Sequence, residues 1–360
     1  MPWPLTTATR DERTLVRMLY PTPLRIAPGT HDLVPGLCGT WHTSDERTWT
    51  FDCGSAAAAV ARAIGIGRVT QRGTQVSVRL PFRWVRFPYA LTGADEAVRS
   101  LPGPFALVHA QPGHIVMRRA GLTLDVTQVE PHRAEQLFRE GKLDEAPVAL
   151  GDIRAAQLDP ALAPYVRVRQ LLAVDTVVVR GIATPAIRSV WWHTADRADY
   201  DALVPESQAP TAVSLVPGWT PQRARPRDYR PAKSAIATLP LVRLDAVPAL
   251  AYGASLLAAN WRDLHPLAGD YRTHARLVRL AATYPLDEAI LGQLDHSVLG
   301  VDSQRAAFVR ADDALYKDAS VIPIAWVVDA RLVSPRISGW AEDDLGDVDY
   351  VKCRVTSRRP

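Results

Sequence analysis

The sequence is poor in cysteine and lysine and has no long apolar run. Three cysteines, Cys38, Cys53 and Cys353, are too few and too widely spaced for a disulfide framework or a CxxC metal site. Free thiols in a reducing compartment are expected; a single bridge from Cys38 to Cys53 is the alternative. Lysine occurs only at Lys142, Lys233, Lys317 and Lys352, so arginine carries nearly all the positive charge. The net charge of +4 is too small to argue for nucleic acid, and no zinc-finger or helix-turn-helix pattern accompanies it. No stretch approaches the ~18 apolar residues of a membrane span. Met1 to Arg13 has neither an apolar run nor a cleavage signal, so a cytoplasmic protein is expected. There is no G-x-S-x-G, no P-loop and no dinucleotide fingerprint; Gly65-Ile66-Gly67 lacks a third glycine and an upstream strand. No cofactor and no metal are expected.

What is present is an ordinary globular composition, 47% hydrophobic and 22% charged over 360 residues, enough for two or three lobes. Apolar spacing predicts a helix over 13–20 and a strand at 24–26. Further strands are expected at 76–82, 122–126 and 174–179, and helices at 55–66, 131–139, 248–261 and 303–316. Val321 to Val328 is almost wholly apolar and rich in β-branched residues, which suits a strand covered on both faces. A strand so late in the chain must pair with strands made far earlier. The arginine-rich run from Pro221 to Arg230 reads as solvated linker.

Several segments resemble, in order and spacing, the family 5 extracellular solute-binding proteins, the peptide- and nickel-binding components of ABC importers. Leu33 to Phe51 is similar to their early signature LVPGLAxSWxxSxDGxTYTF. Val76 to Phe82, Gly103-Pro104-Phe105 and Gly141 to Val148 resemble the family's next segments, and Ile187 to Tyr200 its VRQALAYAIDRE helix. Arg331 to Pro335 with Gly339-Trp340 resembles the closing ARLVxPxxxGW. The resemblance implies an α/β, two-lobed periplasmic-binding-protein-like fold (type II, cluster C-like) with an interlobe ligand cleft. Lobe I would hold residues 1–181, with a reduced extra subdomain over about 52–100. Lobe II would hold 182–318, and 319–360 would return to lobe I.

Against that frame the ligand-facing residues depart from the family. Where peptide-binding members carry ADYPDP, this chain has Ala282-Thr283-Tyr284-Pro285-Leu286-Asp287, so Thr283 replaces the aspartate that holds a ligand ammonium. A hydroxyl cannot supply the charge-assisted bond a buried ammonium needs. Trp191 and Trp192 are helix neighbours pointing ~100° apart, so one is expected to face the cleft or the facing lobe, a packed aromatic pair being the alternative. Trp326 is either core or cleft wall. Tyr284, Asp329 and Trp41 complete the candidate ligand contacts. His193, Asp287 and Glu206 are the candidate acid–base groups.

Two functions fit. The expected ligand of both is a small amino-acid- or peptide-like molecule, with no nucleic acid and no membrane insertion. The favoured expectation is a cytoplasmic protein recruited as a cofactor-independent biosynthetic enzyme, for example for an acid/base-assisted cyclisation, with a partner enzyme of the same pathway. The alternative is the substrate-binding component of a peptide-type ABC importer, whose partner is the permease.

Overall fold

The computed structural model describes residues 10–27, 31–181, 184–195, 197, 211–218, 242–246, 257, 273–301 and 305–356. The expected helix over 248–261, apart from Leu257, and the Pro221–Arg230 run lie outside them.

The chain opens with helix α1 (Arg10–Leu19), which buries Leu15, Val16, Met18 and Leu19 on one stripe. Strands β1 (Leu24–Ile26) and β2 (Leu33–Pro35) form a two-stranded antiparallel ladder. Strands β3 (Thr40–Thr43), β4 (Thr48–Asp52), β5 (Arg68–Arg72) and β6 (Gln75–Arg79) make an antiparallel sheet in the order β3-β4-β6-β5. Helix α2 (Ala57–Ala63) lies between β4 and β5, and the short helix α3 (Phe87–Ala90) follows β6. Strands β7 (Ala106–Gln111), β8 (His114–Arg119) and β9 (Leu122–Thr127) form a meander that packs Ile115 and Met117 against α1.

A mixed five-stranded sheet organises the rest. Its order is β10 (Glu145–Pro147), β14 (Val321–Val333), β11 (Val166–Gly181), β13 (Thr273–Ala281) and β12 (Val242–Ala246), numbered in chain order. Helices α4 (Pro131–Arg139) and α5 (Ile153–Leu158) flank its first half in sequence, and α6 (Pro185–Thr194) follows β11. All thirteen residues of β14 are buried. It pairs antiparallel with β11 along its length and with β10 at its far end, where Val333 faces Glu145. The late strand therefore does close on strands made far earlier. It is longer than expected because it runs on through Asp329 and Arg331, whose charges are neutralised in place.

Among the described residues, strands β11 and β14 thread several separate cores. At one end Val177, Val179, Leu277 and Ile322 pack with Trp191 and Trp192. At the other, Val328, Ala330 and Leu332 pack with Ala134, Ile153 and Leu162. In the middle, Val174 and Trp326 join the large core built around β4 and β6. The β11–β14 ladder slips between Gln170 and Val174 and again between Asp175 and Thr176. Such bulges bend a strand and re-aim its side chains.

The expectation of free thiols is corrected at one point. Cys38 and Cys53 form a disulfide, with Sγ–Sγ 2.03 Å. The β3–β4 register, Thr40 opposite Asp52, brings the two flanking cysteines together. Cys353 is the free, buried cysteine.

Candidate functional site

The centre of the mixed sheet is where residues of both halves of the chain meet. On β11, Asp175 lies opposite Arg279 of β13 and Ala325 of β14. Arg279 donates Nε and Nη2 to the two Asp175 oxygens at 2.7 and 3.1 Å, a forked geometry. The Asp175 side chain is 7% exposed, whereas that of Arg279 is 36% exposed. Leu171, Ala173, Ala281 and Val327 form a small apolar cluster beside it. Sequence reasoning missed both charged residues. The available signal was the one charged residue in the run from Leu171 to Val179.

Beyond β13 the chain turns through Thr283 to Asp287. Thr283 is exposed, and so is Asp287, which stands at the N-cap of a helical turn, Glu288–Leu291. Tyr284 between them is buried, with Trp84 and Tyr89 rings at centroid distances of 5.9 and 6.5 Å. Burial, reinforced by Glu288, pushes its hydroxyl well above the usual tyrosine range. Glu288 is the buried acid of this turn. Arg86 approaches it at 3.4 Å, yet burial still pushes its carboxyl up.

The tryptophan pair is packed, the second of the two arrangements the sequence allowed. Trp191 and Trp192 are 0% and 4% exposed, so neither faces solvent. The helical argument assumed one covered face; α6 is covered on two. Trp191 clusters with the sheet residues Val177, Leu277 and Ile322, while Trp192 meets Tyr316 edge-on at 5.0 Å, on the helix Arg305–Asp318. The Arg197 guanidinium sits 5.5 Å above the Trp192 ring. His193, half-buried, lies with Nε2 3.0 Å from the Tyr316 hydroxyl. His193 and Asp287 stand on different elements with different neighbours; Glu206 lies outside the described residues.

Trp326 belongs to the large core, beside Val174 in the ladder, while its neighbour Ala325 packs in the α6 core on the opposite side. Trp41, half-buried on β3, faces Phe51 across the ladder and packs on the same large core. Asp329 is held between Arg10 and Arg331, the latter at 3.0 Å. Burial pushes its carboxyl up, but the two guanidiniums outweigh that and hold it below the usual carboxylate range.

Among the described residues no group of three or more His, Cys, Asp or Glu could hold a metal ion. Among them also, no helix is long and apolar enough to cross a membrane.

No family model matches the sequence, and no curated protein matches it at a significant level. Solved structures do match in fold. The murein tripeptide-binding protein MppA of Escherichia coli superposes with a TM-score of 0.75 at 13% identity, covering 99% of this chain and 96% of that one. Haemophilus influenzae OppA, solved with the peptide RPPGFSPFR, gives a TM-score of 0.75 at 14% identity, over 98% and 96% of the two chains. NikA of Brucella suis, solved with Fe(III)-EDTA, gives 0.70 at 15% identity, over 99% of each. With both chains covered almost end to end, the architecture is the two-lobed fold of the family 5 extracellular solute-binding proteins.

Proposed function

We propose that the protein is a substrate-binding component of a peptide-type importer, which encloses a small peptide-like solute between its lobes. The observation that carries this reading is the near-complete superposition on proteins whose names and ligands are peptides. The Cys38–Cys53 bridge supports it independently. Structural disulfides persist in oxidising compartments and are rare in a reducing cytosol. That argues for an exported protein over the cytoplasmic enzyme. The permease of the importer is then the partner.

The ligand side of the cleft differs from a plain peptide receptor in the way Thr283 suggests. With an exposed hydroxyl there, a free ammonium has no carboxylate at that position. The candidate contacts are Thr283 itself and the ion pair Asp175–Arg279, whose guanidinium is part-exposed. The lobes close over the solute by bending at the paired bulges of β11 and β14.

The test is a thermal-shift and native mass-spectrometric screen of the full chain against synthetic di- and tripeptide pools. A binding peptide at a hundredfold its Kd raises stability by about 2.7 kcal/mol and is recovered unchanged. Absence of binding to any pool overturns the reading. Conversion of a pool member to product, lost in His193→Ala, would instead favour the enzymatic reading.

A further inference from the structure

Among the described residues, a dense cluster of titratable side chains that takes in Asp329 ties α1 and the C-terminal tail to β14. Arg331 is at its centre. Its Nη1 donates to Glu145 of β10 at 2.5 Å, Nη2 to Asp11 of α1 at 2.9 Å and Nε to Asp329 at 3.0 Å. The second oxygen of Glu145 accepts from Trp340 Nε1 at 2.9 Å and the Tyr350 hydroxyl at 2.8 Å, both in the C-terminal tail. Arg10 of α1 reaches Asp329 from the other side. Two turns on, Arg17 grips Asp347 of the tail at 2.9 Å and Asp343 at 3.2 Å.

One member does not fit a fully ionised network. Glu342 Oε1 lies 3.9 Å from the same Arg331 Nε that already donates to Asp329, too far for a hydrogen bond. That oxygen is sealed from solvent and has no hydrogen-bond partner. Two carboxyls thus converge on one N–H in buried surroundings, where two ionised carboxylates repel and lose hydration together. Asp329 has two guanidiniums against it and keeps the charge. Glu342 has Arg331 at 3.9 Å and no hydrogen bond from it, so of the two carboxyls it is the one that more readily takes the proton.

We propose that Glu342 is the proton-operated catch of a clasp holding α1 and the C-terminal tail to β14, closed when Glu342 is neutral and loosened when it ionises. The charged groups acting on it are Asp329 and Arg331 from β14 and Arg10 from α1; Asp11 of α1, Glu145 of β10 and Tyr350 of the tail lie around Arg331. Burial pushes the Tyr350 hydroxyl far above neutrality, and Arg331 stays charged. Burial first, and Asp329 second, push Glu342 up to about 8. Asp347 is moved the same way by burial, although Arg17 rests on it. The clasp is therefore closed at and below neutral pH and loosens through mildly alkaline pH. An exported protein would meet that range directly; the inference itself is independent of what the cleft binds.

Amide hydrogen exchange of the full chain at about pH 6 and about pH 9, corrected for the intrinsic rate, tests this. In the wild type, amides of α1 and of residues 341–349 are expected to lose about tenfold or more of their protection at the higher pH, while β4 and β6 keep theirs. Glu342→Gln, neutral at every pH, should keep the clasp closed at both. Equal protection of α1 at the two pH values in the wild type overturns the proposal, as does an undiminished pH step in Glu342→Gln. Should that variant fail to fold, the wild-type profile decides alone: a loss spread evenly over α1, β4 and β6 also overturns it.

Discussion

At the scale of single residues, buried charge separates two kinds of site in this protein. Arg331 is surrounded by Glu145, Asp329 and Asp11, and Arg10 shares Asp329 with it. Removing the guanidinium leaves the buried Glu145 carboxyl without its cation and Asp329 with Arg10 alone, and breaking a buried pair in this way costs about 3–5 kcal/mol. Arg331→Met should show that loss as a lower urea midpoint. Glu96 is the opposite case. It is buried with a backbone N–H, Gly65, as its hydrogen-bond donor at 3.1 Å, and burial pushes its carboxyl up to about 7. Its folded-state pKa lies above the unfolded value, so its contribution is fully present below the ordinary glutamate range and is lost as pH rises through about 7. Glu96→Gln keeps an acceptor for Gly65 and never ionises. Its melting temperature should match the wild type near pH 5 and exceed it by a few degrees near pH 8. An equal effect at both pH values would show that the carboxyl is neutral throughout.

Among the elements, the β3–β4 hairpin and strand β14 carry distinct predictions. The Cys38–Cys53 bridge closes a loop with a sequence separation of 15, and a loop that size stabilises by about 3 kcal/mol in the chain-entropy account. Thermal unfolding with and without reductant should differ accordingly, and Cys38→Ala/Cys53→Ala should melt like the reduced protein. On β14, Trp326 fills the large core among Val174 and Tyr284, so Trp326→Ala should cost about 3–5 kcal/mol by cavity formation. A loss well under that, with weakened peptide binding, would mark the ring as cleft wall. Strand β7 shows the limits of pattern reading at this scale. Ala106 to Gln111 is exposed almost throughout, so it has no alternation to betray it, and only its ladder with β8 makes it a strand. Helix α4, by contrast, runs from Pro131 to Arg139 as its sequence predicts, with proline at its first turn where no intrahelical N–H bond is lost.

For the whole molecule, the first described helix and the last described residues come together. Helix α1, the meander β7–β9 and the tail share one core, in which Leu15, Ile115 and Cys353 meet. The paired bulges of β11 and β14 leave a natural bending point between the cores those strands thread. Closure there predicts that a peptide which stabilises the protein also reduces its radius of gyration in solution scattering. An unchanged radius on saturation would mean that the ligand enters a pre-closed cleft.

What the sequence determined by itself was local and periodic: the apolar run of β14, the α1 stripe, the position of β1, and the ordered motifs from Leu33 to Trp340 that pointed to the two-lobed fold. Those signals survive because hydrophobic period and turn chemistry act over a few residues. What only the tertiary structure decided were the partnerships. Trp191 and Trp192 are both buried because α6 is covered on two sides, which no single-helix argument contains. Arg331 finds Asp11 across 320 positions and Arg279 finds Asp175 across 104, so nothing in the local sequence marks them as pairs. Cys38 and Cys53 become a bridge through the register of one hairpin. Glu342 becomes a proton site only because folding sets it beside Asp329, away from water, where two like charges cannot both be held.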